Sequence, residues 1–108
     1  MVTAEIRHVI ERYIVALEEQ GVKVDQAYVF GSQVEDRANR DSDIDVAVVS
    51  PAFGKDRIEE GILLRRIAWR IDSRLDPVPL TGDAFDKSDW IPLVHEIKTT
   101  GVPIRPAA

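Results

Sequence analysis

The sequence predicts a small α/β domain, and three observations predict this fold class. Segments with the apolar spacing of amphipathic helices alternate with short runs of β-branched and apolar residues, in the order helix, strand, turn, strand, helix, strand, helix. A length of 108 residues is near the commonest domain size, so we expect residues 1–108 to form one domain. Charged residues make up 31% of the chain, and no apolar run approaches the roughly 20 residues of a membrane span.

The first helix is predicted between Thr3 and Gly21. Thr3 is a residue type that caps helices, and Gly21 is the type that ends them in a left-handed conformation. Between them, apolar residues recur three and four positions apart and define one buried face: Ile6, Val9, Ile10, Tyr13, Ile14 and Leu17. The segment is charged throughout and lacks the continuous apolar stretch of a signal peptide, so we expect a cytoplasmic protein.

Two short strands are predicted next, with a polar segment between them. Residues 27–30 form an apolar run that ends at Gly31-Ser32, which is typical of a buried strand. Residues 33–38 predict a helical turn. Residues 44–49 are almost entirely apolar and rich in β-branched side chains, so they predict a second strand more clearly than any other segment does.

The second half of the chain predicts a long helix and an edge strand. Residues 57–74 show a wide apolar face with helical periodicity, made of Ile58, Ile62, Leu63, Leu64, Ile67, Ala68 and Ile71. Residues 75–80 predict a third strand. Because Pro77 and Pro79 lack backbone N–H donors, we expect this strand at the edge of the sheet.

The C-terminal part predicts one helix and a short extended segment. The helix is predicted from residue 87 or 88 to residue 98, with Pro92 in its first turn, and residues 102–104 follow in an extended conformation. We expect Trp69 and Trp90 in the core or at an interface, since a large aromatic side chain usually buries much of its area.

The composition excludes several classes of function. The formal net charge of −5 opposes general binding to nucleic acids, which needs clustered lysine and arginine. The absence of cysteine excludes disulfides, thiolate catalysis and cysteine-based zinc sites. Two histidines argue against a histidine-rich metal site. A metal site in this chain is therefore expected to use oxygen ligands.

Three aspartates are the candidate metal ligands. Asp43 and Asp45 project on the same side because side chains alternate along a strand, and their carboxylates repel unless a cation neutralises them. Asp76 begins the third predicted strand and reaches the same end of the sheet if that strand lies beside residues 44–49. Three convergent carboxylates suit Mg²⁺ or Mn²⁺ and can hold two such ions roughly 4 Å apart, as in phosphoryl transfer.

The pair Gly31-Ser32 is the candidate nucleotide-binding element. Gly31 lets the backbone approach a ligand closely. A helical turn that begins after Ser32 would direct free N–H groups toward an anion, and the Ser32 hydroxyl would add a donor. The phosphates of a nucleoside triphosphate fit between these donors and the metal ions.

These residues resemble a known family. Gly31-Ser32, ten intervening residues and Asp43-Ile44-Asp45 resemble the GS…DxD pattern of the DNA polymerase β-like nucleotidyltransferase superfamily. The length and element order are similar to its minimal nucleotidyltransferase branch, which is often the antitoxin partner of a HEPN-domain toxin. The resemblance covers residues 29 to about 101 and implies a small mixed β-sheet with helices packed on it.

The resemblance also implies a reaction and a role for each site residue. The reaction is the Mg²⁺-dependent transfer of a nucleoside monophosphate, AMP from ATP, to a hydroxyl group. Asp43 and Asp45 would bind both metal ions, while Asp76 would bind the catalytic ion and help to deprotonate the acceptor. Pro77 and Pro79 depart from the family pattern, because plain apolar strand residues usually flank the third acid.

Because the chain has no room for an acceptor-binding domain, we expect the acceptor hydroxyl on a separate protein. The resemblance implies that this protein is a helical HEPN toxin and that the acceptor is one of its tyrosines. Two alternatives stay open at this point. One is a non-catalytic antitoxin that keeps the fold and binds its toxin stoichiometrically, and the other is one subunit of a drug nucleotidyltransferase. The preferred base, the number of nucleotides transferred and the choice between homo- and hetero-oligomer stay open as well.

Overall fold

Helices cover both faces of a four-stranded sheet in a computed structural model that describes residues 2–35, 38 and 41–104. These residues form α1 (Ala4–Glu19), β1 (Gln26–Phe30), β2 (Ile44–Val49), α2 (Arg57–Ile71), β3 (Leu75–Leu80), α3 (Gly82–Lys87), α4 (Pro92–Thr100) and β4 (Val102–Ile104). The strand order is β3-β2-β1-β4, with β2 and β3 parallel and the other pairs antiparallel. The sheet is therefore mixed, as the family resemblance implies, and β3 lies at an edge, as its prolines predict.

The first helix matches its prediction because its signals are local. The Thr3 hydroxyl accepts a hydrogen bond from the Ile6 N–H at 3.2 Å. Gly21 has a positive φ of 86°, and the next residue donates its N–H to the Leu17 carbonyl at 3.0 Å, which closes the helix end. All six apolar residues predicted for the inner face are buried.

The two faces of the sheet carry separate clusters of apolar side chains. Val46 and Val48 of β2 belong to the larger core with α1 and α2, whereas Ala47 belongs to a smaller cluster with α3 and α4. This alternation is the period of two that a strand imposes. In the smaller cluster Tyr28 stacks on Phe85 with ring centroids 5.0 Å apart.

The prediction for α2 was wrong in two respects. The helix ends at Ile71, three residues early, because Asp72 is extended and its carboxylate accepts the Arg74 N–H at 2.9 Å. Only part of the predicted apolar face is buried, namely Leu64, Ile67 and Ala68, while Ile58, Ile62 and Leu63 are exposed. The periodicity identifies an apolar face but not the part of it that another element covers.

The C-terminal prediction was partly wrong, because two helices replace the one expected. Thr81 caps α3 by accepting the Ala84 N–H at 3.0 Å, and α4 begins only at Pro92. The residue before a proline avoids helical backbone angles, so Pro92 separates α4 from the chain before it. Residues 102–104 are extended as predicted and pair with β1.

The two tryptophans lie outside the core. Trp69 is 61% exposed and Trp90 is 80% exposed, so the core position is wrong for both, and the interface position stays a prediction. Among the described residues, no helix is long and apolar enough to cross a membrane.

Candidate active site

Strand register brings the predicted site residues to one end of the sheet. Asp45, the second residue of β2, lies opposite Phe30 of β1 on one side and opposite Asp76 of β3 on the other. Antiparallel β1 ends where β2 begins, and parallel β3 begins beside the same point. The loop that leaves β1 at Gly31 and the aspartate of β3 therefore flank Asp45.

Gly31 is in direct contact with the Asp45 carboxylate. Its φ is +75°, which favours glycine, and a Cβ atom at this position would overlap the Asp45 Oδ2 atom. Both the backbone angle and the available space therefore require glycine here. This contact joins the predicted nucleotide-binding pair to the predicted metal ligands.

Ser32 lies in a short 3₁₀ turn, Gly31–Gln33, that follows β1 directly. The N–H groups of Val34 and Glu35 donate to the Gly31 carbonyl at 3.1 and 3.3 Å. The helical turn predicted for residues 33–38 thus begins two residues early, at Gly31. Residues 36 and 37 of the predicted turn lie outside the described part of the chain.

Like charges and burial act together on Asp45. The pKa of Asp45 is raised to about 6, and burial is the largest cause. The negative charges of Asp76, Asp43 and Glu96 raise it further, as does a hydrogen bond with the Asp76 side chain. A hydrogen bond between two carboxyl groups requires a proton on one of them. This end of the sheet therefore favours a positive charge, either a proton or a cation.

Asp76 lies beside Asp45 in spite of the two prolines that follow it. The N–H groups of Ile44 and Ser50 in and after β2 donate to the carbonyls of Arg74 and Leu80 at 2.8 and 3.0 Å. The backbone N–H and C=O groups of the even-numbered residues of β3 therefore point toward β2. Positions 77 and 79 point their backbone nitrogen toward the open edge, where a missing N–H loses no ladder bond. The departure from the family pattern leaves the register intact.

The sequence reasoning missed two residues at this site. Gln33 is buried, and its Nε2 atom donates to the Asp43 carbonyl at 3.2 Å. Glu96 of α4 is close enough to raise the pKa of Asp45. The position of Gln33 next to Gly31-Ser32 was a usable signal. Glu96 gave no such signal, because its approach to Asp45 depends on the packing of α4, whose Ile97 lies in one apolar cluster with Phe30 and Ala47.

The donor chemistry fits a hard divalent cation. Asp43, Asp45 and Asp76 supply carboxylate oxygens of the kind that Mg²⁺ and Mn²⁺ prefer, and their mutual repulsion is what such an ion would relieve. Within residues 2–35, 38 and 41–104, no three acidic or histidine side chains lie close enough together to hold a metal ion in this conformation.

The sequence matches one known protein family. The model of the family described as nucleotidyltransferase domain matches residues 10–84, a range that contains Gly31, Ser32, Asp43, Asp45 and Asp76. No curated protein matches the chain.

Solved structures share its fold. A chain from a toxin–antitoxin crystal structure with AMP-PNP is 27% identical with a TM-score of 0.63, over 90% of this chain and 73% of that chain. One from tri-AMPylated Shewanella oneidensis HEPN toxin in complex with MNT antitoxin is 25% identical with a TM-score of 0.58, over 94% and 73%. One from the toxin–antitoxin MntA-HepT structure is 24% identical with a TM-score of 0.58, over 93% and 73%.

Proposed function

This chain belongs to the nucleotidyltransferase domain family, and we propose that it transfers AMP from ATP, with two Mg²⁺ ions, to a hydroxyl group of a partner protein. The observation that carries the proposal is the position of Asp45, which lies opposite Asp76 of β3 on one side and against Gly31, just after β1, on the other. A phosphate-binding turn in contact with a row of carboxylates suits a substrate that is itself a polyanion carrying divalent cations.

Each residue has a defined part in the proposed reaction. Asp43, Asp45 and Asp76 would hold the Mg²⁺ ions, which when bound supply Lewis-acid stabilisation of the charge on the reacting phosphates. The Gly31-Ser32 turn binds the triphosphate through backbone N–H groups. The acceptor oxygen forms a bond to the α-phosphorus while the bond to pyrophosphate breaks, and the hydroxyl proton passes to Asp76.

A separate protein suits the role of acceptor. Asp76 is exposed and lies on the edge strand, so a hydroxyl on a large partner can approach it. The solved relatives include a complex of tri-AMPylated HEPN toxin with MNT antitoxin and a toxin–antitoxin structure with AMP-PNP. We therefore propose a HEPN toxin tyrosine as the acceptor, ATP as the donor, and an antitoxin role in the cytoplasm.

Label transfer from ATP tests this function. The purified chain is incubated with α-labelled ATP, Mg²⁺ and the protein encoded by the neighbouring gene, and we expect label on a tyrosine of that protein. The double variant Asp43→Asn with Asp45→Asn should transfer none. Asp83→Asn, whose side chain is 89% exposed in α3, is the matched control and should transfer normally. Absence of label with the wild-type chain would refute the proposal, and toxin neutralisation by the double variant would favour a non-catalytic antitoxin instead.

A further inference from the structure

Gln33 is a buried polar residue with one specific partner. Its exposed fraction is 7%, and among the described residues only Ser50 is another polar residue buried to this degree. Its Nε2 atom donates to the backbone carbonyl of Asp43 at 3.2 Å. Burying an amide is unfavourable unless it is hydrogen-bonded, so this bond is what makes the buried position tolerable.

The bond joins the two halves of the candidate active site. Gln33 ends the turn that begins with Gly31-Ser32, and Asp43 immediately precedes β2. Pairing between β1 and β2 reaches only to Phe30 and Asp45. Asp43 therefore lies beyond the last residue that pairs with β1. Its peptide unit with Ile44 is held toward β3, where the Ile44 N–H donates to the Arg74 carbonyl at 2.8 Å. On the side of the turn the Gln33 side chain is what holds it, across the opening between turn and strand.

We infer that Gln33 is a positioning residue, whose amide holds the phosphate-binding turn and the Asp43 backbone at the separation that a metal-bound nucleoside triphosphate needs. The inference rests on the proposed nucleotidyl transfer. Gln33 acts through Asp43 and the turn, since its amide donates to the protein backbone.

The substitution Gln33→Met separates positioning from packing. Methionine keeps the length and much of the volume of glutamine but cannot donate a hydrogen bond. The matched control is Gln26→Met, at the far end of β1, where the Gln26 Oε1 atom is buried with no hydrogen-bond partner among the described residues. The same chemical change there leaves the site untouched.

The readout is Mn²⁺ binding by the protein in the presence of ATP. It is measured as the decrease of the electron paramagnetic resonance signal of free Mn²⁺ below that of the same Mn²⁺ and ATP mixture without protein, because ATP itself binds Mn²⁺. Losing one hydrogen bond that orders the site should raise the half-saturating Mn²⁺ concentration about fivefold in Gln33→Met. We expect Gln26→Met to match the wild-type chain. Thermal unfolding without metal shows whether each variant is folded.

The outcomes separate this inference from the proposed function. Wild-type binding by a folded Gln33→Met variant overturns the positioning role, even if its unfolding temperature is lower. If Gln33→Met does not fold, Gln33→Asn serves instead, because its amide is one carbon shorter: weaker Mn²⁺ binding supports the inference and wild-type binding overturns it. Failure of the wild-type chain to bind Mn²⁺ with ATP would refute the proposed function itself.

Discussion

Replacing Asp45 with asparagine should stabilise the metal-free protein and remove its response to divalent metal. Asp45 is partly buried beside three other acidic residues, and these surroundings raise its pKa from 3.8 to about 6. Asparagine keeps the shape of the side chain and its capacity for hydrogen bonds but carries no charge. The repulsion with Asp43, Asp76 and Glu96 therefore disappears, together with a ligand for the metal.

The size and sign of the effect follow from this pKa. Because the folded state binds the Asp45 proton more tightly than the unfolded state, the contribution of Asp45 to wild-type stability decreases as pH rises from 3.8 through about 6 and stays low above that. Each pKa unit is worth about 1.4 kcal/mol, which sets an upper limit of about 3 kcal/mol. Screening by solvent reduces the value for a half-buried carboxylate, and we expect about 1 kcal/mol, or about 4 °C in Tm.

Thermal unfolding of both proteins at several pH values, with and without Mg²⁺ and ATP, measures the effect. In the metal-free protein near neutral pH, Asp45→Asn should unfold at the higher temperature, and the difference should shrink below about pH 4. With ligand at about ten times its Kd, the wild-type chain gains about 1.4 kcal/mol and the order reverses. The exposed Asp83→Asn variant should behave as wild type. Equal stabilisation of Asp45→Asn by Mg²⁺ and ATP, or a metal-free variant less stable than wild type, would show the reasoning to be wrong.

Three further predictions concern the backbone, the core and the acid limit of stability. Gly31→Ala should abolish label transfer because its Cβ would displace a site carboxylate. Gly21→Ala has a similar φ but open space around it, so it should lower the free energy of unfolding by about 1 kcal/mol and leave transfer intact. Equal activity of the two variants would contradict this. Tyr13→Phe removes a buried hydrogen bond of 2.9 Å to a carbonyl of α2, so denaturant unfolding should show a loss of about 1 kcal/mol with normal transfer, and an unchanged midpoint would count against it. Hydrogen bonds from Arg74 hold the pKa of Asp72 below its ordinary value, so wild type should exceed Asp72→Asn in stability at neutral pH, and this advantage should vanish as pH falls below about 4; a constant difference across pH would exclude this cause.

Predictions made from local signals agree best with the structure. The cap, the apolar spacing and the terminal glycine of α1 are all set by residues within a few positions of each other, and the helix matches them throughout. The prolines of β3 also act locally, since they exclude ladder donors, and the strand lies at the edge as expected. The mistakes arise where burial depends on distant elements, as for Ile58, which is 75% exposed on α2.

The residues of the candidate site also differ in how far local sequence predicts their position. The types and spacing of Gly31, Asp43 and Asp45 indicated a phosphate-binding turn followed by carboxylates before any fold was known. They sit on one continuous segment, so short-range geometry links them. Asp76 also had the right chemistry, but it lies beside Asp45 only because β3 pairs in parallel with β2. The sequence predicted this position for Asp76 only on the condition that the two strands are neighbours.

Two features depend on packing between elements far apart in the chain. These are the approach of Glu96 through α4 and the raised pKa of Asp45. Electrostatic interaction and desolvation depend on distance in space and on the surrounding protein, not on separation in sequence. The chain pattern therefore supplied the chemical groups of this site, and the folded arrangement of strands and helices set how strongly they act on one another.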